Sequence, residues 1–81
     1  MIKVVYLARL RDALGTSSEH IPAAQNVAEL LIFLRNRGGV WAEHLAEGKA
    51  FKVAVNQALS SAATPLKSGD EVALLPPVTG G

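Results

Sequence analysis

The sequence contains no cysteine and only two histidines, so it lacks the side chains on which many reactive centres depend. The absence of cysteine excludes disulfide bonds, thiolate nucleophiles and cysteine-based metal sites. His20 and His44 stand apart from any paired carboxylate pattern, so neither indicates a zinc site or an acid–base site. We expect both to be ordinary surface or half-buried residues, and we expect the chain to bind no metal.

A strong charge of either sign is also missing, because the formal net charge is +1 and the charges are interspersed. No basic stripe indicates nucleic acid as a partner. The apolar stretch from Ile2 to Leu10 is interrupted by Lys3 and Arg9, and it is far too short to span a bilayer or to act as a secretory signal. We therefore expect a cytoplasmic protein with neither nucleic acid nor a membrane as a partner.

The residues that are present favour one small α+β domain. Hydrophobic residues make up 49% of the 81 residues, which is enough for a single core. Apolar or alternating segments of strand length predict a mixed sheet of about five strands, at residues 2–8, 19–22, 51–55, 58–60 and 71–75. The first two strands are predicted to form a hairpin, although residues 9–14 also fit a helical turn. Asn56 and Gln57 predict a tight turn between the third and fourth strands, because Asn tolerates positive φ.

One main helix is predicted after Gln25. Asn26 can cap its first turn with Glu29 three positions further on, and the apolar residues of one helical face then follow as Val27, Leu30, Leu31 and Leu34. Gly38–Gly39 is predicted to end this helix, with Arg35 and Arg37 at its negative end. Residues 40–46, which include Trp41, predict a short second helix.

A sheet with helices on one side must leave its other face open to water or to a partner. Strand alternation places five apolar residues on the core side, namely Ile2, Val4, Tyr6, Val72 and Leu74. If the first and last strands are neighbours, Leu7 and Leu75 lie together on the open side. With Leu59 they form a predicted docking surface for a partner protein.

The last six residues predict a projecting tail, so we expect a domain over residues 1–75 and a tail over residues 76–81. Pro76 and Pro77 cannot donate to a sheet ladder and keep the chain extended. At about 3.3 Å per residue, the tail can reach roughly 20 Å from the domain. Because Gly80 and Gly81 have no side chains, the terminal carboxylate is unhindered and can enter a narrow channel. A frayed end is the simpler explanation of two glycines, but the stiff diproline before them argues against it.

Segments along the whole chain resemble the sulfur-carrying small subunits of molybdopterin synthases, which are ubiquitin-like proteins of the β-grasp fold. The resemblance is carried by residues 1–4, Arg11, Gly15, and residues 54–57, 65–66, 69–73 and 76–81. Its most specific part is Pro-Pro-Val-Thr-Gly-Gly following Gly-Asp-Glu-Val. Leu7 and Leu75 stand where aromatic residues are familiar in that family, so the apolar character of the surface is kept while its shape differs.

The resemblance implies that the chain is a carrier of sulfur in molybdenum cofactor biosynthesis. An E1-like adenylyltransferase would use Mg-ATP to adenylate the Gly81 carboxylate, and a sulfur donor system would convert it to a thiocarboxylate. The large subunit of a heterotetrameric synthase would then receive the tail, inserted through Pro76, Pro77, Val78, Thr79 and Gly80. There the sulfur would pass to cyclic pyranopterin monophosphate. The chain itself is expected to bind no cofactor, and the catalytic residues are expected on the large subunit.

Two other classes of function fit the same sequence. The chain could carry sulfur for thiamine or another thio-cofactor, or become conjugated to lysines as a protein modifier. Alternatively, it could be a β-grasp interaction module with an inert tail. These functions predict different chemistry at the C-terminus: a thiocarboxylate excludes the inert module, and isopeptide bonds to lysines indicate a modifier.

Overall fold

The computed structural model describes residues 1–46 and 50–76 of the chain. These residues form five strands and three helices in the order β1 (Ile2–Tyr6), α1 (Ala8–Leu14), β2 (Ser18–Ile21), α2 (Val27–Arg35), α3 (Gly39–His44), β3 (Lys52–Val55), β4 (Ala58–Ser60) and β5 (Glu71–Leu75). None of the three helices is long and apolar enough to cross a membrane, since even α2 has only nine residues.

The strands form one mixed sheet in the order β2-β1-β5-β3-β4. The first and last strands are neighbours and run parallel, with Val4 opposite Val72 and Tyr6 opposite Leu74. The three other pairings, β1 with β2, β5 with β3, and β3 with β4, are antiparallel. This confirms the predicted β-grasp arrangement, including the adjacency of the two terminal strands on which the docking surface depends.

The helices cover one face of this sheet and form a single core with it. Every strand residue predicted for the core side is at most 1% exposed, as found for Ile2, Val4, Tyr6, Val72 and Leu74. The four residues predicted for the apolar face of the main helix are also buried, namely Val27, Leu30, Leu31 and Leu34. Strand alternation therefore assigned the two faces of the sheet correctly.

The main helix begins where its capping residues predict. The Glu29 amide donates to Asn26 Oδ1 over 2.8 Å, and Glu29 Oε1 accepts a hydrogen bond from the Gln25 amide over 3.3 Å. The predicted end at Gly38–Gly39 is wrong, because α2 stops at Arg35 and Asn36 caps it through a bond to the Ile32 carbonyl. Gly39 instead begins α3, after Gly38 turns the chain with φ of 75°.

The first two strands pair antiparallel as predicted, and the alternative of a helical turn over residues 9–14 is realised as a third helix, α1. Strand β1 ends at Tyr6, two residues before its predicted end, and residues 8–14 are helical. Leu10 and Leu14 are 7% exposed, so their burial in the core stabilises a segment whose seven residues could not form a helix alone. Gly15 ends it with φ of 71°, donating its amide to the Arg11 carbonyl.

The start of β5 is fixed by a side-chain network that joins two turns. Asn56 and Gln57 have φ of 50° and 72°, which confirms the predicted tight turn between β3 and β4. From that turn Asn56 Nδ2 donates to Asp70 Oδ1 over 3.1 Å, while the Lys67 amide donates to Asp70 Oδ2 over 3.0 Å. These hydrogen bonds, that of the Lys67 amide first, hold the pKa of Asp70 below its ordinary value.

A second polar cluster ties β2 to the connection between α2 and α3. Arg37 donates from both terminal nitrogens to the Glu19 carboxylate, each over 2.8 Å, and Tyr6 Oη donates to Glu19 Oε2 over 2.7 Å. The Arg37 guanidinium also lies 4.5 Å from the ring centroid of Trp41, which packs edge-on against Tyr6. Arg37 thus lies beyond the end of α2 and pairs with Glu19, whereas the sequence assigned it to the helix terminus.

The Glu19–Arg37 pair should make stability depend on pH. The hydrogen bond from Arg37, and secondarily that from Tyr6, lowers the pKa of Glu19 in the folded state. The stabilising effect of the carboxylate is therefore complete above the unfolded-state pKa of Glu19, and it is lost as pH falls through the folded-state pKa. We expect Glu19→Gln to lower the free energy of unfolding by about 1–2 kcal/mol at neutral pH, and by much less in acid, below the folded-state pKa of Glu19. Urea unfolding of both proteins at the two pH values measures this.

Glu43→Gln provides the control, because Glu43 is exposed on α3 and its loss should change stability by no more than about 0.5 kcal/mol. If Glu19→Gln lowers the free energy of unfolding equally at both pH values, the charge of Glu19 does not contribute to stability.

Candidate functional site

The open face of the sheet carries a row of mostly small and apolar residues that crosses all five strands. Strand pairing aligns Ser18 of β2, Val5 of β1, Ala73 of β5, Ala54 of β3 and Leu59 of β4. Because Val53 and Val55 are buried on the core side, Ala54 must lie on the open side. Four of the five residues are apolar, and Leu59 at the sheet edge is 72% exposed.

This row meets a second pair of apolar residues near the end of β5. Leu75 is the last residue of β5, and Leu7 directly follows β1 and donates its amide to the Leu74 carbonyl over 3.1 Å. Leu7 is 40% exposed and Leu75 is half-buried. We define the open-face patch as the six apolar residues Val5, Leu7, Ala54, Leu59, Ala73 and Leu75.

The structure therefore brings together the three residues predicted for partner docking. Leu7 and Leu75 lie at adjoining strand ends, and Leu59 lies on the same face at the far edge of the sheet. Strand alternation in the sequence also places Val5 and Ala73 on this face, whereas Ala54 was not assigned to either side. The sequence does contain a signal for the position of Ala54, because the apolar β-branched residues Val53 and Val55 flank it in a half-buried strand. The role of the patch in docking stays a prediction.

The tail begins at the edge of this patch. Pro76 is half-buried and lies outside β5, as expected for a residue that cannot donate to the ladder. The predicted tail residues Pro77, Val78, Thr79, Gly80 and the reactive Gly81 lie outside the described residues, so their roles stay predictions. What the structure defines is the position of the tail root, at the end of β5 and beside Leu75.

Of two hollows on the described part of the surface, the smaller borders the tail root. It measures about 550 Å³ and is lined by Arg9, Leu10, His44, Ala50 and Pro76 among others. The larger, about 770 Å³, lies between α2 and the edge formed by β3 and β4. Its ionisable lining residues are Arg35 and Lys52, which provide no carboxylate or imidazole for acid–base chemistry.

The titratable side chains that line the hollow beside the tail root are Arg9, Asp12 and His44. No group of three His, Asp or Glu residues in the described part of the chain could hold a metal ion. Among the described residues, four side chains have shifted pKa values, and all of them belong to the two polar clusters that hold turns and strands together: Tyr6, Glu19, Arg37 and Asp70. The arrangement is an apolar face of the sheet with the chain leaving its edge at Pro76.

Comparison with known proteins finds relatives that match nearly all of the chain. The ThiS family matches residues 4–81. The chain is 43% identical over 82 residues to the molybdopterin synthase sulfur carrier subunit of Escherichia coli strain K12, and the alignment covers all of both chains.

Solved structures have the same architecture. A chain in the complex of subunits 1 and 2 of the molybdopterin-converting factor from Helicobacter pylori 26695 is 30% identical, with a TM-score of 0.70 and coverage of 99% of this chain and 97% of that chain. SAMP1 from Haloferax volcanii has a TM-score of 0.82 at 22% identity, covering 99% of this chain and 98% of the other, and this likeness shows the fold alone.

Two adjacent leucines test the assignment of the faces. Leu74 is fully buried, so Leu74→Lys places an unpaired charge in the core and should lower the free energy of unfolding by on the order of 4 kcal/mol. Leu75 faces the open side, and Leu75→Lys should cost about 1 kcal/mol or less because the new ammonium stays in water. Urea unfolding of both variants measures the difference, and equal losses of stability would refute the assignment.

Proposed function

The chain belongs to the ThiS family, and from that premise we propose that it is the sulfur carrier subunit of a molybdopterin synthase. The observation that carries the proposal is the position of the tail root, because the open-face patch ends at the point where the tail leaves β5. A partner that covers the patch would therefore receive the tail at a fixed position. Full-length similarity to a relative that bears this name supports the proposal.

The first half of the proposed cycle activates the chain end. The Gly81 carboxylate is a poor acyl donor, because expelling an oxide ion from it is unfavourable. An E1-like activating enzyme would use Mg-ATP to join AMP to this carboxylate, releasing pyrophosphate. Sulfide released by a donor system would then attack the acyl carbon, form a C–S bond and expel AMP, which leaves a thiocarboxylate at Gly81. The ATP and its magnesium belong to the activating enzyme, and this chain binds no cofactor of its own.

The second half transfers the sulfur within the synthase. The tail, residues 76–81, would enter the large subunit and present the thiocarboxylate to cyclic pyranopterin monophosphate. Acid–base and anion-binding groups would come from the large subunit, which encloses the end of the tail. The expected assembly is a heterotetramer, in which each carrier docks on a large subunit through the open-face patch.

In the proposed cycle the sulfur is bonded only to the C-terminal carbonyl and never to a side chain, so it can be detected at the C-terminus. Because the chain has no cysteine, a thiol-alkylating reagent should leave the unmodified protein unlabelled and should label it once after incubation with ATP, activating enzyme and sulfur donor. Intact-mass measurement and C-terminal peptide mapping identify the label, and assay with the large subunit and cyclic pyranopterin monophosphate tests the transfer.

Three outcomes distinguish the proposal from its alternatives. Labelling away from Gly81 after activation contradicts a terminal thiocarboxylate. Isopeptide bonds to lysines indicate a protein modifier. A thiocarboxylate that the synthase does not convert to molybdopterin indicates a carrier for another thio-cofactor.

Gly80 tests the narrow-channel explanation of the tail. A side chain next to the reacting residue should displace the terminal carbonyl from a near-attack position, and a β-branched residue also restricts φ and ψ. We expect partial activity from Gly80→Ala, roughly 100-fold or greater loss from Gly80→Val, and a more severe loss when Gly81 is deleted. Thiocarboxylate formation and molybdopterin yield are the measurements.

Thermal unfolding is the control for these tail variants, since residues beyond the prolines are outside the predicted core and should leave the transition temperature unchanged. If Gly80→Val matches the parent in both yields at equal stability, the two glycines have some other purpose.

A further inference from the structure

We propose that the tail root carries a basic collar, formed by Arg9 and Lys52 on opposite sides of Pro76, which selects large subunits with carboxylates at the mouth of the channel that receives the tail. This inference rests on the proposed function and deepens it by naming the charge of the partner surface. The open-face patch alone does not specify that charge, because its six residues are apolar.

Lys52 lies on one side of the tail root. It is the first residue of β3, and strand pairing sets it directly opposite Leu75, the residue before Pro76. It alternates with the buried Val53, which places it on the open side of the strand; the residue is exposed and also lines the larger hollow at the edge formed by β3 and β4. A partner that covers Leu75 must therefore also meet an ammonium group.

Arg9 lies on the other side. β1 and β3 flank β5, and the bond from the Leu7 amide to the Leu74 carbonyl places the start of α1 beside the end of β5. Arg9 is the second residue of α1, is exposed, and lines the same hollow as Pro76. The two cations therefore flank the root of the tail, Arg9 from the start of α1 and Lys52 from the start of β3.

The remaining charges near this surface are largely neutralised by neighbours. At the far end of the open face, Lys3 Nζ lies 3.8 Å from the Glu71 carboxylate. Asp12 also lines the hollow next to Pro76, but its carboxylate lies 3.7 Å from Arg11 Nε. The three ion pairs among residues 1–46 and 50–76 include neither Arg9 nor Lys52. Among the described residues, two cations outside these ion pairs thus lie at the tail root, Lys52 on the open face and Arg9 on α1.

A cation beside a docking surface loses part of its hydration when the partner arrives, and this loss is unfavourable unless an opposite charge replaces the water. Carboxylates on the partner provide that charge and accelerate encounter, whereas a basic mouth repels the collar. The tail also ends in a carboxylate roughly 20 Å from its root when extended, more than twice the Debye length of about 8 Å at physiological ionic strength. A partner can therefore attract the negative tip and the positive root with separate groups, which orients the tail as it enters.

Association kinetics of the full-length chain with the large subunit test the collar. At about 0.05 M salt we expect Lys52→Glu and Arg9→Glu each to slow association roughly 3–10-fold and the double variant more, with dissociation changed less than about threefold. The effect should shrink toward no change at about 0.5 M salt. Lys52→Arg should associate at the parent rate, and Lys52→Gln should fall between the parent and Lys52→Glu.

Lys67→Glu is the matched control, because Lys67 is exposed and precedes β5 at the end of the strand opposite the tail. It has the same change of charge and should leave association near the parent rate. Leu75→Lys provides the contrast for the apolar patch, since it should mainly speed dissociation. Thermal unfolding verifies that every variant is folded.

Two results would overturn the proposal. If the chain binds the large subunit but both charge reversals associate at the parent rate or faster, the channel mouth is not acidic and the collar is refuted while the proposed function stands. If the parent chain does not bind the large subunit at all, the proposed function fails and the collar fails with it.

Discussion

The central position of β5 is the constraint on which the rest of the structure depends. The strand is held between β1 on one side and β3 on the other, so both of its hydrogen-bonding edges are occupied. Val72 and Leu74 anchor it in the core, and the Asn56–Asp70 network fixes the turn before it. A tail that leaves such a strand starts from a point that cannot fray without opening the sheet. The position of Pro76, where the tail starts, is therefore set before any partner binds, which reduces the entropy lost when the chain end is positioned.

The helices cover only one face of the sheet, and this has a second consequence. All three helices contribute to the same side, and the residues exposed at the centre of the other side are small, as Ala54 and Ala73 show. Small side chains keep that surface flat and limit the cost of leaving it in water, while leucines at its margins supply most of the apolar area. The face is thus compatible with a stable free domain and with docking.

The sequence predicted what depends on local periodicity. The five strands, and the side of β5 that faces the core, follow from the two-residue alternation of apolar residues. The capped helix follows from apolar residues three and four positions apart. The structure confirms these predictions. The sequence left α1 only as an alternative to a turn, because residues 8–14 have no side-chain cap and become helical through the burial of Leu10 and Leu14. The pairing of Arg37 with Glu19 was missed, since the two residues are 18 positions apart and no periodic pattern relates them.

For the site, the sequence predicted which side of each strand faces outward and where the tail begins. It did not identify the collar, because the proximity of Arg9 and Lys52 to Pro76 depends on strand order rather than on spacing along the chain. Placing those two cations required knowing that β1 and β3 both border β5. Single lysines and arginines in a sequence otherwise suggest only solvated surface.

On the proposed function, one tail must serve an activating enzyme and a synthase in turn. The open-face patch borders the tail root, so a protein that holds the tail also covers the patch, and the two partners exclude each other. The carrier must then dissociate in every cycle. If exchange takes about one second, typical association rate constants correspond to dissociation constants of about 0.1–10 μM, which is weak for a complex that must also be specific. A larger apolar patch would tighten binding to every partner and slow the exchange. Charges at the tail root accelerate encounter with the correct surface without prolonging the complex, and this allows a weak interface to remain selective.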